Sequence, residues 1–174
     1  MAGTEELVVL LADDGTPIGT TAKATVHDAD TPLHLAFSCF LHDDAGQVLM
    51  TRRALGKRTW PGVWTNSFCG HPGPGEPFAR AIERRAREEL GCEVADITEV
   101  LPEFRYRAVD ASGVVENEIC PVFTARLVGE VRPSAAEVAE FAWLTPEDLG
   151  RALVAAPFAF SPWLAEEWAQ LTDG

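Results

Sequence analysis

Cys69-Gly70-His71-Pro72-Gly73-Pro74-Gly75-Glu76, followed by the segment from Pro77 to Leu90 that closes on Gly91, decides how this chain is read. Glycines and prolines so crowd Gly70–Gly75 that a loop is expected there. Pro77 suits the first turn of a helix, where its missing N–H would lack a partner anyway. From there apolar residues fall at Phe78, Ala79, Ile82, Ala86 and Leu90, the spacing of a helix with one buried stripe. Gly91 ends that helix as a C-terminal cap.

The polar face of the helix carries Arg84, Arg85, Arg87, Glu88 and Glu89. Arg84–Glu88 and Arg85–Glu89 are each one turn apart, and a charge run taken alone reads as solvated ion pairs. The loop in front changes that reading. It carries Cys69 and His71, both competent to bind metal, and a loop–helix junction offers free N–H groups to an anion. Glutamates holding a divalent ion beside such a loop make a site for a diphosphate–Mg²⁺ complex.

The spacing of Gly70, Glu76, Arg84 and Glu88-Glu89-Leu90-Gly91 resembles the Nudix box over its full span. One position departs: the box has glutamate directly after its arginine, and here stands Arg85, which argues against hydrolysis. Further motifs narrow the resemblance. Ala54–Lys57, Trp60-Pro61-Gly62-Val63-Trp64-Thr65-Asn66, Cys69-Gly70-His71, Glu116-Asn117-Glu118 and Phe160-Ser161-Pro162-Trp163 are similar to the type I isopentenyl-diphosphate isomerases, from about Lys23 to Trp163.

That resemblance implies a divalent ion on His27, His34, His71, Glu116 and Glu118, with Cys69 as a further metal-competent group. Imidazole with carboxylate suits Mn²⁺ or Zn²⁺ better than Mg²⁺ alone. It implies substrate-diphosphate contacts from Lys23, Arg53, Lys57 and Arg85, with Mg²⁺ bridging through Glu89. The arginine fork matches phosphate oxygens two at a time, which also gives a reason for arginine at position 85. Cys69 and Glu118 are the implied proton-transfer pair on opposite faces of the substrate. Tyr106, the one tyrosine, is expected to hydrogen-bond Glu118, and Trp163 to turn its π-face toward a carbocation.

Some of this stands on the residues alone. Glu116 and Glu118 are two apart on an extended segment, so both project from one face and repel unless a cation or proton lies between them. His42, beside Asp43-Asp44 in a turn, reads as a surface residue. Moving a double bond by one carbon adds a proton on one side and removes another elsewhere, so two acid–base groups are required.

The whole chain sets bounds. A length of 174 residues suits one domain over 1–174. Apolar content of 47% and charged content of 24% are ordinary for a globular protein. A net charge of −13 speaks against nucleic acid and anionic membranes as partners. A diphosphate needs positive charge concentrated in one place, and ten of the fourteen lysines and arginines lie between Arg52 and Arg107. Cys39, Cys69, Cys92 and Cys120 show no paired spacing, so reduced thiols in the cytoplasm are expected. No segment reaches the roughly 20 apolar residues of a membrane span.

Strands are expected at Leu7–Leu11 and Ile18–Thr21, a hairpin at Leu33–Arg53 turning at Asp43–Gly46, extended runs at Ile97–Ala108 and Val114–Leu127, and a strand at Val138–Leu144. Thr145-Pro146-Glu147-Asp148 starts a helix, and Ser161-Pro162 repeats the device for a last one. The expected fold is α/β (α+β) and Nudix-like, a mixed sheet between helices with additional N-terminal strands. The expected protein is a monomeric enzyme that interconverts homoallylic and allylic diphosphates. Its rivals are a Nudix pyrophosphohydrolase acting on a nucleotide diphosphate and a silent metal-bound interaction module.

Overall fold

The structure, a computed structural model, describes residues 6–173. The ends of the expected 1–174 domain, residues 1–5 and 174, lie outside the described residues. In chain order the elements are β1 (Leu7–Leu11), β2 (Pro17–Ala22), β3 (His34–Leu35), β4 (Phe37–His42), β5 (Val48–Arg53), β6 (Trp64–Thr65) and β7 (Phe68–Gly70). Then come α1 (Phe78–Arg85) running into a π turn (Ala86–Leu90), β8 (Glu93–Leu101), β9 (Arg105–Val109), β10 (Val115–Ile119), β11 (Val122–Val128) and β12 (Val138–Leu144). The chain finishes with α2 (Pro146–Ala155), a 3₁₀ turn (Pro157–Ala159) and α3 (Pro162–Thr172).

One sheet runs β12-β5-β4-β11-β8, with β6 and β7 attached to β5 and β4. Its β4–β11 pair is parallel, so the sheet is mixed. Helices cover both faces, and the side-chain alternation of the central strands shows why. Phe37, Cys39, Leu41 and Leu49 pack with Ala81, Ile82, Ala86 and Leu90 of the α1 segment. Their neighbours Ala36, Phe40, Val48 and Met50 pack with Leu149 and Leu153 of α2 and Leu164 of α3. A strand buried on both faces reads as a nearly continuous apolar run, which is how 33–42 looks in the sequence.

The additional strands form a second sheet, β2-β1-β3-β10-β9, in which β3 and β10 are parallel. The two expected extended runs are each broken near a proline, Pro102 and Pro121, where the chain crosses from one sheet to the other. The expected hairpin of β4 with β5 closes only at His42 opposite Val48. Beyond that pair the strands diverge, and β7 and β6 add to them instead. Gly70, expected in the loop, ends β7 opposite Phe37. Gly91 stands in the left-handed region at φ +59°, as a helix C-cap does.

Thr145 caps α2 by accepting from the Asp148 N–H at 3.1 Å. Ser161 does not repeat this for α3. It is fully buried, and its hydroxyl lies 2.8 Å from Thr65 Oγ1. Among the described residues no helix is long and apolar enough to cross a membrane.

Candidate active site

Three neighbouring strands carry the centre of the site. Glu118 on β10 pairs with His34 on β3 on one side and with Tyr106 on β9 on the other. His34 donates from Nδ1 to the Pro32 carbonyl at 2.9 Å, so in the neutral ring Nε2 carries the lone pair, 3.2 Å from Glu118 Oε1. His71, just past β7, brings Nε2 to 3.0 Å from the same oxygen. His27 Nε2 lies 2.9 Å from Glu116 Oε2 and 4.0 Å from Glu118 Oε1. One ligand atom each from His27, His34, His71 and Glu118 falls within 4.8 Å of the others.

This arrangement fits a divalent ion. His27 Nε2 and His34 Nε2 are buried without a hydrogen-bond partner, both facing carboxylate oxygens. Without a cation or a proton between them, lone pairs and anionic oxygens repel there; with one, they converge. Proton sharing marks the same strain. Burial opposes charge on His27, yet Glu116 and Glu118 raise its pKa to about 9. His34 is also raised, by Glu118 against burial, while burial lowers His71. Burial works against ionised Glu118 too, but the surrounding imidazoles hold it well below the carboxylate range.

Cys69 faces the same cavity from β7. Its sulfur lies 3.3 Å from Asn66 Nδ2, and burial pushes the thiol well above its usual range. Cys69 and Glu116 both stand outside that group of ligand atoms, though Glu116 Oε2 reaches His27 Nε2 at 2.9 Å. Tyr106 donates to Glu118 Oε2 at 2.9 Å. Trp163, on the first turn of α3, donates its indole N–H to Asn66 Oδ1 at 3.1 Å and lies under the Arg53 guanidinium, 5.5 Å from the ring centroid.

The far end of the cavity is basic. Arg53 donates to the Thr59 carbonyl, Lys57 pairs with Glu137, and Lys23 pairs with Glu6 at 2.8 Å. Arg85 bonds Glu89 and, at 2.9 Å, Glu88. Burial raises the Glu89 carboxyl, with Arg85 opposing. Close packing positions Arg85: a Cβ on Gly70 would stand 2.7 Å from its Cγ and 2.8 Å from the Phe37 ring. Arg84 turns away from the cavity, gripping Glu76 through two bonds of 2.9 and 2.8 Å and so fastening the loop. His42, at the opposite end of β4, takes no part. The cavity encloses about 220 Å³, below the roughly 300–1,000 Å³ of drug-sized sites, so it suits a small ligand.

Sequence reasoning missed Thr59 and Glu137 and gave Asn66 no role. Thr59 donates to Glu116 Oε1 at 2.7 Å, and nothing around it in the sequence marks a buried hydroxyl. Glu137 lies in an irregular stretch with no period to read. Glu167 was also missed, although its spacing from Trp163, Leu164 and Leu171 puts a carboxyl on the apolar stripe of α3.

Comparison with known proteins sets this site in context. A family profile described as "NUDIX domain" matches residues 32–164. "Isopentenyl-diphosphate Delta-isomerase" of Paenarthrobacter aurescens (strain TC1) is 61% identical over 168 residues, covering 97% of this chain and 91% of the relative. The protein of the same name from Leifsonia xyli subsp. xyli is 63% identical, covering 94% and 90%. Among solved structures, DR0079 from Deinococcus radiodurans has a TM-score of 0.73 at 22% identity, covering 96% of this chain and 99% of that one. A MutT NUDIX hydrolase from Burkholderia pseudomallei has a TM-score of 0.62 at 23% identity, covering 80% and 98%. At such identities these structures speak for the fold alone.

Proposed function

The chain belongs to the isopentenyl-diphosphate Delta-isomerases within the NUDIX family, and from that premise we propose how its residues move a double bond. It interconverts isopentenyl and dimethylallyl diphosphates. The reaction protonates an unactivated alkene on one side, passes through a tertiary carbocation and loses a proton elsewhere. Cys69 and Glu118 are the two proton-handling groups, one supplying the proton at its sulfur or oxygen and the other taking one away. Their exposure to one cavity that also holds Trp163 carries this reading.

Tyr106 holds Glu118 Oε2 and so aims the carboxyl. Trp163 offers its π-face to the cation, an interaction worth about 2 kcal/mol or more when desolvated. Its contact with the Arg53 guanidinium supports that role, since one cation already rests there. Lys23, Arg53, Lys57 and Arg85 bind the diphosphate and hold the alkene inside, away from water that would capture the carbocation. We assign Mn²⁺ or Zn²⁺ to His27, His34, His71, Glu116 and Glu118, and Mg²⁺ to Glu89 with the diphosphate. When bound, these ions would supply positive charge that lowers the Glu118 pKa and offsets the charge of the diphosphate.

We read the chain as one domain, a cytoplasmic monomer acting on a small diphosphate and not on nucleic acid or membrane. Its charge of −13 supports the last point. Proton NMR of isopentenyl diphosphate with purified protein and Mg²⁺ tests the function. The terminal methylene signals should give way to two allylic methyl signals without phosphate release. Intact isopentenyl diphosphate alongside hydrolysed nucleotide diphosphates would overturn the reading.

A further inference from the structure

We propose that Glu167 is a positioning residue for this isomerisation: it accepts a hydrogen bond from the Ser38 hydroxyl and thereby fixes the Asn66 amide that holds the Cys69 sulfur and the Trp163 indole. The proposal rests on the isomerase reading and extends it beyond the cavity wall, to a carboxyl that touches no substrate.

The hydrogen bonds determine one another. Asn66 Nδ2 donates to the Phe68 carbonyl at 2.9 Å and to Ser38 Oγ at 2.8 Å. Asn66 Oδ1 accepts from the Trp163 indole at 3.1 Å and from Thr65 Oγ1 at 2.8 Å, with the Cys69 sulfur at 3.4 Å. An indole N–H only donates, so the amide cannot be turned round without leaving it facing donors. Ser38 Oγ therefore accepts from Asn66, and its single proton needs an acceptor of its own. Glu167 Oε2 is that acceptor, at 3.0 Å.

The path is also closed in space. Ser38 and Cys69 are directly opposite on β4 and β7, so their side chains share a face. Trp163 and Glu167 are one turn apart on α3 and project the same way. One helix thus grips both ends of the Asn66 network.

A role in packing alone does not account for a carboxyl here. Glu167 is fully buried, Oε1 has no hydrogen-bond partner, and among the described residues no cation pairs with it. A buried, half-partnered acid is unfavourable, and an apolar residue would pack more easily. Burial pushes its carboxyl pKa up, and the Ser38 hydrogen bond needs only an accepting oxygen at Oε2. Glutamine keeps an accepting oxygen there; leucine does not.

The experiment measures kcat and KM for isopentenyl diphosphate, bound metal and melting temperature in the parent, Glu167→Gln, Glu167→Leu and Ser38→Ala. Glu167→Leu and Ser38→Ala should each lower kcat about tenfold or more through loosened geometry, with KM within threefold and metal content unchanged. Glu167→Gln should recover kcat to within threefold of the parent. A purely structural residue would move the melting temperature and leave kcat of the folded protein alone. If Glu167→Leu does not fold, Ser38→Ala cuts the same link without touching α3 and decides the matter. Parental kcat in the folded variants, or Glu167→Gln as impaired as Glu167→Leu, overturns the proposal. A parent that leaves isopentenyl diphosphate unchanged overturns the isomerase reading itself, and this proposal with it.

Discussion

Tyr106 and Glu118 stand opposite each other on β9 and β10, and the phenol donates to Glu118 Oε2 at 2.9 Å while the other carboxyl oxygen faces three imidazoles. One carboxyl is thus divided between a metal-competent cluster and a neutral donor. A hydrogen bond to a charged group is worth about 1.5–3 kcal/mol. Tyr106→Phe should therefore lower kcat about ten- to hundredfold with metal content unchanged, as initial rates and elemental analysis will show. Loss of the metal instead would mean that Tyr106 supports the cluster and not the proton transfer.

Cys69→Ser keeps the side chain's size but raises its pKa by many units, so kcat should fall by at least about 10²-fold, nearly as far as in Cys69→Ala. KM should move less, because Lys23, Arg53, Lys57 and Arg85, proposed to hold the diphosphate, lie at the other end of the cavity. In D₂O the product of the parent enzyme should carry solvent deuterium. A serine variant with most of its activity would remove the thiol from the mechanism.

His34→Ala should reduce bound metal, and His42→Ala should not. Chelator-treated parent should lose activity and melt lower, since segments far apart in the chain are tied through one site. Equal metal content in the two variants would dismantle the ligand assignment.

His27 gives the pH dependence its sign. Its pKa rises from 6.5 to about 9 in the metal-free fold, so its proton stabilises that fold fully below 6.5 and the contribution is lost as pH rises through 9. Metal has to displace this proton. Loading at neutral pH should release protons, seen by calorimetry in buffers of different ionisation enthalpy, and affinity should climb toward pH 9. His27→Gln should abolish most of the release; a release unchanged in that variant would count against the assignment.

Gly70→Ala should destabilise the fold by about 1–3 kcal/mol, the usual result of forcing a methyl group into a filled space. Thermal melting of the metal-free protein will measure it. The space is filled by the Arg85 side chain and the Phe37 ring, so KM should rise as Arg85 is displaced.

Part of this was legible in the sequence because local rules carried it, and part, His27, His34, Tyr106 and Trp163 among them, only because its motifs resemble a known family. The loop–helix unit at 70–91 announced itself by glycine, proline and a helical period, and Glu116 with Glu118 by the period of a strand. Chain crossings were harder. Pro102 and Pro121 look like ordinary breaks, and nothing local says that they pass the chain between sheets. Likewise β4 and β5 carry every mark of a hairpin, yet tertiary pairing with β7 and β6 draws them apart. Thr59 and Glu137 became visible only when distant segments met. Glu167 left a readable trace, a charge on an apolar stripe, whose partner Ser38 lies far away in the chain.

The parallel pairing of β3 with β10 also sets an order of events during synthesis. His34 leaves the ribosome early, but its strand partner Glu118 is added only after β4, β5, the whole of α1, β8 and β9. Until then β1 and β3 present an open edge, and pairing across so long a loop is slow to nucleate. The other sheet is also unfinished at that point, because β11, which joins β8 to β4, and the edge strand β12 both follow β10. The cluster of His27, His34, His71 and Glu118 therefore cannot assemble before β10 is made, and Trp163 on α3 reaches the cavity later still, so truncated chains ending before β10 should not acquire a place for the proposed ion.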